Sequence, residues 1–161
     1  MEGFVNIDQQ IALNDIEKKT GDPEVIATWS ELAKIPPNEI PGGIPHIPAP
    51  PKRPVAYDNL MLLESAGVRI VGATDAGNIG TLHGPALHRE MELMAAAGLR
   101  NMDIIVSVTK TAAAVMGRQA EVGTLEKGKF ADLVILDADP LADIKNTRKI
   151  FKVMKAGESF N

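Results

Sequence analysis

A proline-rich segment limits how this chain of 161 residues can fold. Residues 36–54 hold eight of its eleven prolines. Proline fits neither the interior of a helix nor a central strand, because its nitrogen carries no hydrogen to donate. The segment therefore predicts a polyproline or irregular connection. Three interpretations stay open: a connector on the surface, a loop that covers a substrate, or a ligand for a proline-binding module. Its isoleucines, Ile40, Ile44 and Ile47, indicate that it lies against another part of the protein.

Helices are predicted on both sides of this segment. Residues 7–19 place apolar side chains at helical spacing. Asp22 then reads as a helix cap, with Pro23 at the first helical position. Beyond the prolines, residues 57–64 predict a short helix that ends at Gly67.

The next stretch alternates strand and helix. Residues 68–75, VRIVGATD, form a β-branched run typical of a buried strand, and a glycine-rich loop follows them. Residues 86–98 carry apolar side chains at helical spacing and end at a glycine. Residues 101–116 predict another helix with Asn101 as its cap, although the IIVSVT run within them also suits a strand.

The end of the chain predicts a small β unit. Strands are expected at residues 131–136 and 150–154. Turns are expected at residues 124–129 and 139–140, and a hairpin turn at residues 155–158. Alternation of helix and strand thus gives way to antiparallel structure.

The composition excludes several kinds of protein. The net charge of −4 and the pI of about 5.4 argue against a nucleic-acid partner, which needs a basic surface. The chain has no cysteine, which excludes disulfides and thiolate metal sites and fits a cytoplasmic location. No run reaches the roughly 18 to 20 apolar residues of a membrane span. The sequence therefore predicts a soluble, cytoplasmic protein with no membrane partner.

One carboxylate lies where chemistry is expected. Asp75 ends the run at residues 68–75, and parallel α/β folds bind ligands at the carboxyl ends of their strands. From the residues alone, an Asx turn that only shapes the loop is the better explanation of the same residue. His83 and His88 lack the spacing of a helical metal motif. A further interpretation is a small independent metalloprotein in which Asp75, His83 and His46 hold the ion.

Several blocks of the sequence resemble one enzyme family, in the same order. AGVRIVGATDAGN followed by LHGPALHREMELMAAAG resembles the last barrel strand and its loop in the metal-dependent amidohydrolases, above all the imidazolonepropionase- and prolidase-like members. SVTKTAAAVMG resembles the helix that follows. GTLEKGKFADLVILDADPLADIKNTRKIFKVMKAGE resembles the closing segment of the family almost throughout. The resemblance covers residues 55–161, and residues 1–54 fit more loosely.

The resemblance implies a fold. The family is built on a (β/α)8 barrel of the TIM type beside a small β-sandwich. This chain would then be an α/β protein that holds the C-terminal part of the barrel, residues 1–118, and the closing strands of the sandwich, residues 119–161. Within the barrel part, residues 1–54 would be the loop and helices after strand seven. Residues 55–118 would be the region of strand eight and its helices.

The resemblance also implies site residues. Asp75 matches the aspartate that ends strand eight, which binds metal and acts as the general base. The family uses one or two divalent ions, usually zinc, and such an ion lowers the pKa of its water towards ~7. Asn78 and His83, on the loop beyond Asp75, would bind the substrate, and His88 would be structural. The other metal ligands of the family would lie upstream of Met1.

The implied function is hydrolysis of a carbon–nitrogen bond in a small amide-type substrate, either non-peptide or dipeptide-like, by metal-activated water. Because one ligand does not hold zinc, the chain alone is expected to be inactive. It would then act as a homo-oligomer or with a complementing chain. The rival from another class is a non-catalytic interaction protein, which self-associates through strand edges and the proline-rich segment.

Overall fold

The computed structural model describes residues 15–32, 55–77 and 81–160 of the chain. The early part of the predicted first helix, the proline-rich segment, His46 and Asn78 lie outside these ranges. Within them, no helix is long and apolar enough to cross a membrane.

The chain forms two compact units. The first consists of residues 1–53 and 74–86, and the second of residues 54–73 and 87–161. Asp75 and its loop belong to the first unit, and the β unit belongs to the second. The division into barrel and sandwich parts at residue 118 stays a prediction.

The described helices of the first unit are α1, Asp15–Thr20, and α2, Pro23–Leu32. The cap predicted at Asp22 is confirmed, because its carboxylate accepts the backbone N–H of Glu24 at 2.8 Å. This bond satisfies one of the N–H groups that a helix leaves without a partner at its start. The sequence therefore sets the start of α2 directly.

Three helices of the second unit end in the same way, at a glycine with positive φ whose N–H donates back to the last turn. α3 is Val55–Ser65 and α4 is Pro85–Ala97. After α3, the N–H groups of Gly67 and the following residue donate to carbonyls of the last turn, with Gly67 in the left-handed region at a φ of 74°. Gly98 ends α4, and Gly117 the next helix, in the same way. The predicted helix ends at Gly67 and Gly98 are confirmed.

The helix predicted at residues 101–116 is confirmed, with one widened turn. α5, Asn101–Val106, continues through a π-helical turn, Ser107–Thr111, into α6, Ala112–Val115. The strand alternative for the IIVSVT run is wrong. Such π turns insert one residue into a helix and are frequent at functional positions.

The prediction that Asn101 caps this helix is wrong. Arg100 occupies the cap position with extended backbone and makes no capping bond through its side chain. Asn101 lies within the helix, and its side-chain nitrogen donates to the Leu141 carbonyl at 2.9 Å. A partner 40 residues away along the chain has displaced the local capping bond, which sequence patterns cannot show.

The strand predicted at residues 68–75 does not form. These residues belong to no helix or strand, and the neighbouring Ala76 makes an isolated bridge. A strand needs a hydrogen-bonded neighbour, and the described part of the chain offers none to this run. Gly72 is the one buried residue of the run: a Cβ added there would lie 2.5 Å from Val108 Cγ1 and 3.2 Å from Met94 Sδ, whereas Val68 and Val71 are exposed.

The core of the second unit is formed by α4, α5 and a 3-10 helix from the closing segment, Ile144–Arg148. Ile104 is its one large side chain that is fully buried among the described residues. Its other buried members are Met91, Met94, Leu99 and Ile144. Burial of this apolar surface is the main force that holds the unit together.

The closing segment forms one antiparallel sheet in the order β1–β2–β3. β1 is Leu133–Leu136, β2 is Ile150–Lys155 and β3 is Glu158–Phe160. The first two strands were predicted, and β3 was not, because three residues carry too little pattern. The 3-10 helix Ile144–Arg148 connects β1 to β2. A closed barrel and a two-sheet sandwich stay predictions.

The predicted hairpin turn between β2 and β3 is confirmed. Ala156 and Gly157 both have positive φ, 50° and 84°, as a two-residue turn between twisted strands requires. The side chain of Asp132, just before β1, accepts the Ala156 N–H at 2.7 Å. One carboxylate thus joins the turn to the neighbouring strand.

Candidate active-site loop

Asp75 lies in the first unit and is exposed. It ends the run at residues 68–75, three positions after the buried Gly72. The loop beyond it is closed by the Gly77 N–H, which donates to the Thr81 carbonyl at 3.0 Å. The backbone geometry therefore presents a carboxylate immediately before a tightly closed loop.

His83 lies against this loop. Gly77 has a φ of 100°, which favours glycine, and a Cβ added there would lie 3.3 Å from His83 Nε2. The structure thus brings His83 to a residue only two positions after Asp75. Asn78, the other predicted substrate residue, lies outside the described residues, so its role stays a prediction.

A cavity of about 400 Å³ opens within the first unit. His83 and Thr81 from the loop line it together with Asp22 and Val25 from the start of α2. Asp75 is not among the lining residues. The lining combines a carboxylate, an imidazole and a hydroxyl with apolar carbon, a mixture that suits a small polar molecule.

The part that the structure describes does not assemble a metal centre. Among residues 15–32, 55–77 and 81–160, no group of three or more His, Asp or Glu side chains could hold a metal ion. A zinc ion in a catalytic site needs about three protein ligands. Asp75 therefore does not hold a metal with the described residues alone.

His88 belongs to α4 and takes part in a polar cluster of the second unit. Its Nδ1 lies 3.0 Å from Thr147 Oγ1. Burial lowers the pKa of His88, the guanidinium of Arg148 lowers it further, and the carboxylate of Glu92 partly opposes them. These interactions join residues more than fifty positions apart, so no sequence motif signals them.

Comparison with known proteins places these features in one family. The amidohydrolase family matches residues 44–159. The imidazolonepropionase of Rhizorhabdus wittichii is 41% identical over 83 residues, which are 51% of this chain and 21% of that protein.

Two solved structures resemble the chain as well. Molinate hydrolase superposes with a TM-score of 0.62 at 29% identity, covering 68% of this chain and 27% of that one. A protein from Bifidobacterium longum described as a candidate prolidase gives 0.61 at 28% identity, covering 89% and 31%. The chain thus spans about a fifth to a third of the length of these relatives.

The matched residues include residues 68–75, which end at Asp75, the loop after them, and all of the β unit except Phe160. The structural neighbours imply a fold of the TIM-barrel type, and the family is generally metal-dependent. The chain belongs to the amidohydrolase family.

Proposed function

We propose that this chain supplies Asp75 and the loop after it to the active site of a metal-dependent amidohydrolase. The observation that carries the proposal is the position of Asp75, exposed at the end of the run at residues 68–75 and directly before a closed loop, within the part of the chain that matches the family. The substrate would be a small amide-type molecule, either non-peptide or dipeptide-like. The site would lie in the cytoplasm and involve neither a membrane nor nucleic acid.

The proposed reaction is hydrolysis of a carbon–nitrogen bond. Asp75 accepts a proton from the attacking water while the water oxygen bonds to the carbonyl carbon. The proton then passes to the nitrogen as the carbon–nitrogen bond breaks, so the products are a carboxylic acid and an amine. Zinc or another divalent metal, one or two ions in the complete architecture, would supply electrostatic activation of water and carbonyl.

The remaining metal ligands would come from another chain or from the parts of the family's length that this chain does not span, because the described residues supply too few. We therefore expect the isolated chain to be inactive. Within it, His83 is proposed to contact the substrate, because its ring lies against Gly77, two residues after Asp75. Asn78 is proposed for the same role from its place on the loop.

A chimera tests the proposal most directly. Residues 55–161 would replace the matching segment of the Rhizorhabdus imidazolonepropionase, and zinc content and hydrolysis of that enzyme's own substrate would be measured. We expect an active, zinc-loaded chimera whose rate falls about 10²- to 10⁴-fold in the Asp75→Asn variant, the usual contribution of a general base.

The matched control is Asp137→Asn, which changes an exposed aspartate at the end of β1. It should leave the rate of the chimera unchanged. An active chimera in which Asp75→Asn retains the parent rate would refute the role of Asp75. If the isolated 161-residue chain binds zinc stoichiometrically and hydrolyses the substrate, the expected inactivity is wrong.

A second candidate function, non-catalytic self-association, is favoured by one face of the sheet. Val134, Val153 and Phe160 lie opposite one another in adjacent strands, and Phe151 lies two residues before Val153, at an irregularity in the pairing of β1 with β2. Phe151 is 61% exposed, Val134 53% and Phe160 52%. Apolar patches of this kind commonly mark interaction surfaces.

Sedimentation velocity tests this candidate. If self-association is the function, the chain sediments as a dimer and the double variant Phe151→Ser with Phe160→Ser sediments as a monomer. Lys127→Ser, which changes an exposed side chain outside the sheet, should leave the dimer intact. A monomeric parent chain rules the candidate out.

A further inference from the structure

A polar cluster joins α4 to the 3-10 helix in the second unit. His88 and Glu92 lie four residues apart on α4, and therefore on the same face. Each contacts one residue of the 3-10 helix: His88 Nδ1 lies 3.0 Å from Thr147 Oγ1, and Arg148 Nε donates to Glu92 Oε1 at 2.6 Å. Two side-chain hydrogen bonds thus join α4 to the 3-10 helix, between residues that are 59 and 56 positions apart in the chain.

The hydrogen bonds of Thr147 indicate which nitrogen of the neutral His88 ring carries the hydrogen. The Thr147 hydroxyl donates its single hydrogen to the Ile144 carbonyl at 2.8 Å. Its oxygen must therefore accept at the contact with His88, so Nδ1 carries the hydrogen of the neutral ring. Nε2 is the atom that takes up a further proton in acid.

The charges around His88 are unbalanced. Among the described residues, Glu92 is the carboxylate that acts on His88, and it is shared by Arg148 and by Arg89, whose Nη1 lies 3.5 Å from Glu92 Oε2. The side chains of Arg148 and Glu92 are only 15% and 14% exposed. Arg148 Nη1 is moreover buried without a hydrogen-bond partner among the described residues. A second positive charge next to this guanidinium would have to share Glu92 with the two arginines, because no other carboxylate of the described residues acts on His88.

We propose that this cluster is an acid-sensitive junction, at which protonation of His88 loosens the 3-10 helix from α4. The 3-10 helix carries Ile144, which is buried in the core, and it connects β1 to β2. Loosening it therefore exposes part of the core and frees the connection between two strands of the sheet. Acid would act on the closing segment through one histidine.

The direction of the pH dependence follows from the ordinary pKa of histidine, about 6.5. Burial and Arg148 lower the pKa of His88 in the folded protein. The unfolded chain therefore binds a proton more readily than the folded one. The stability that neutral His88 provides is complete above about pH 6.5 and is lost as the pH falls from there towards the folded pKa.

Hydrogen exchange measured by mass spectrometry tests the junction on the whole chain. Between about pH 7.5 and pH 5.5, values on either side of the ordinary histidine pKa, exchange of the amides in residues 144–150 should increase several-fold after correction for the intrinsic rate. Exchange in α3 should change much less. The variant His88→Asn keeps a side-chain N–H near the position of Nδ1 but cannot be protonated, and should abolish the increase.

Proton titration of His88 by NMR supplies a measurement that needs no His88 variant. Glu92→Gln should lower the pKa of His88 and Arg148→Met should raise it, since the two side chains act on that pKa in opposite directions. Equal exchange of residues 144–150 at the two pH values overturns the proposal. So does a His88 pKa above the ordinary value, or a His88→Asn variant that keeps the full pH response.

Discussion

The two compact units place opposite demands on their side chains. In the second unit, Ile104 is fully buried, and Gly72 lies too close to Val108 for even a methyl group to fit. In the first unit, Asp75 and His83 are exposed, and the hydrogen bond from the Gly77 N–H to the Thr81 carbonyl closes the loop between them. Reactive groups belong on a loop that substrates can reach, whereas a core tolerates little change. Changes in the second unit should therefore affect stability, and changes in the first unit should affect the site.

Replacing Ile104 with alanine should have the largest effect on stability. The substitution removes a fully buried side chain from the core and leaves a cavity, which costs about 2–5 kcal/mol in the free energy of unfolding. Urea unfolding followed by circular dichroism measures the loss. Ile135→Ala, at a 39% exposed position of β1, is the control and should cost much less. Equal losses would show that the core does not dominate the stability of this unit.

Gly72→Ala should cost about 1–3 kcal/mol, because a core without free space must shift to admit a methyl group. The atoms closest to the new Cβ are Val108 Cγ1 at 2.5 Å, Ser107 Oγ at 3.1 Å and Met94 Sδ at 3.2 Å. The double variant Gly72→Ala with Val108→Ala removes the nearest obstacle and should recover part of the loss. If the second substitution only adds to the loss, the crowding at Gly72 is not the cause.

Gly77→Ala makes in the first unit the same substitution that Gly72→Ala makes in the second. The positive φ of 100° disfavours an L-residue, and the new Cβ would lie 3.3 Å from His83 Nε2. Strain of about 1–2 kcal/mol is expected. In the chimera with imidazolonepropionase, the variant should cost more activation free energy, calculated from kcat/KM, than free energy of unfolding, calculated from the melting temperature. A larger loss of stability than of activity would contradict the comparison between the two units.

The sequence predicted most of the local structure and little of the side-chain pairing. Helix ends at Gly67 and Gly98 and the cap at Asp22 depend on residues close in the chain, and the structure confirms them. The bond from Asn101 to Leu141 depends on residues 40 positions apart, and the local prediction for Asn101 was wrong. The contacts of His88 with Thr147 and of Glu92 with Arg148 join residues even farther apart in the chain, so no sequence pattern indicates them.

The prediction of a strand at residues 68–75 was wrong for a related reason. Its β-branched residues predict an extended, buried run, but only Gly72 is buried, and Val68 and Val71 are exposed. Strand formation, however, also requires a neighbouring strand, and the described residues supply none beside this run. For the candidate site, the sequence indicated Asp75 through its place after an apolar run. It could not indicate that Asp22 and His83 line one cavity, because sixty residues separate them.

Asp22→Ala should have the smallest effect, a loss of about 1 kcal/mol typical of a helix cap. The variant removes the acceptor for the Glu24 N–H and leaves the start of α2 without its side-chain partner. Asp22→Ser restores a capping oxygen without the negative charge, so it should recover the stability and the slow exchange of the Glu24 amide. Because Asp22 also lines the cavity with His83, the serine variant separates its two roles. If the carboxylate contacts the substrate, Asp22→Ser in a chimera extended to residues 15–161 keeps its stability and has a raised KM. If Asp22 is only a cap, both stability and KM remain those of the parent.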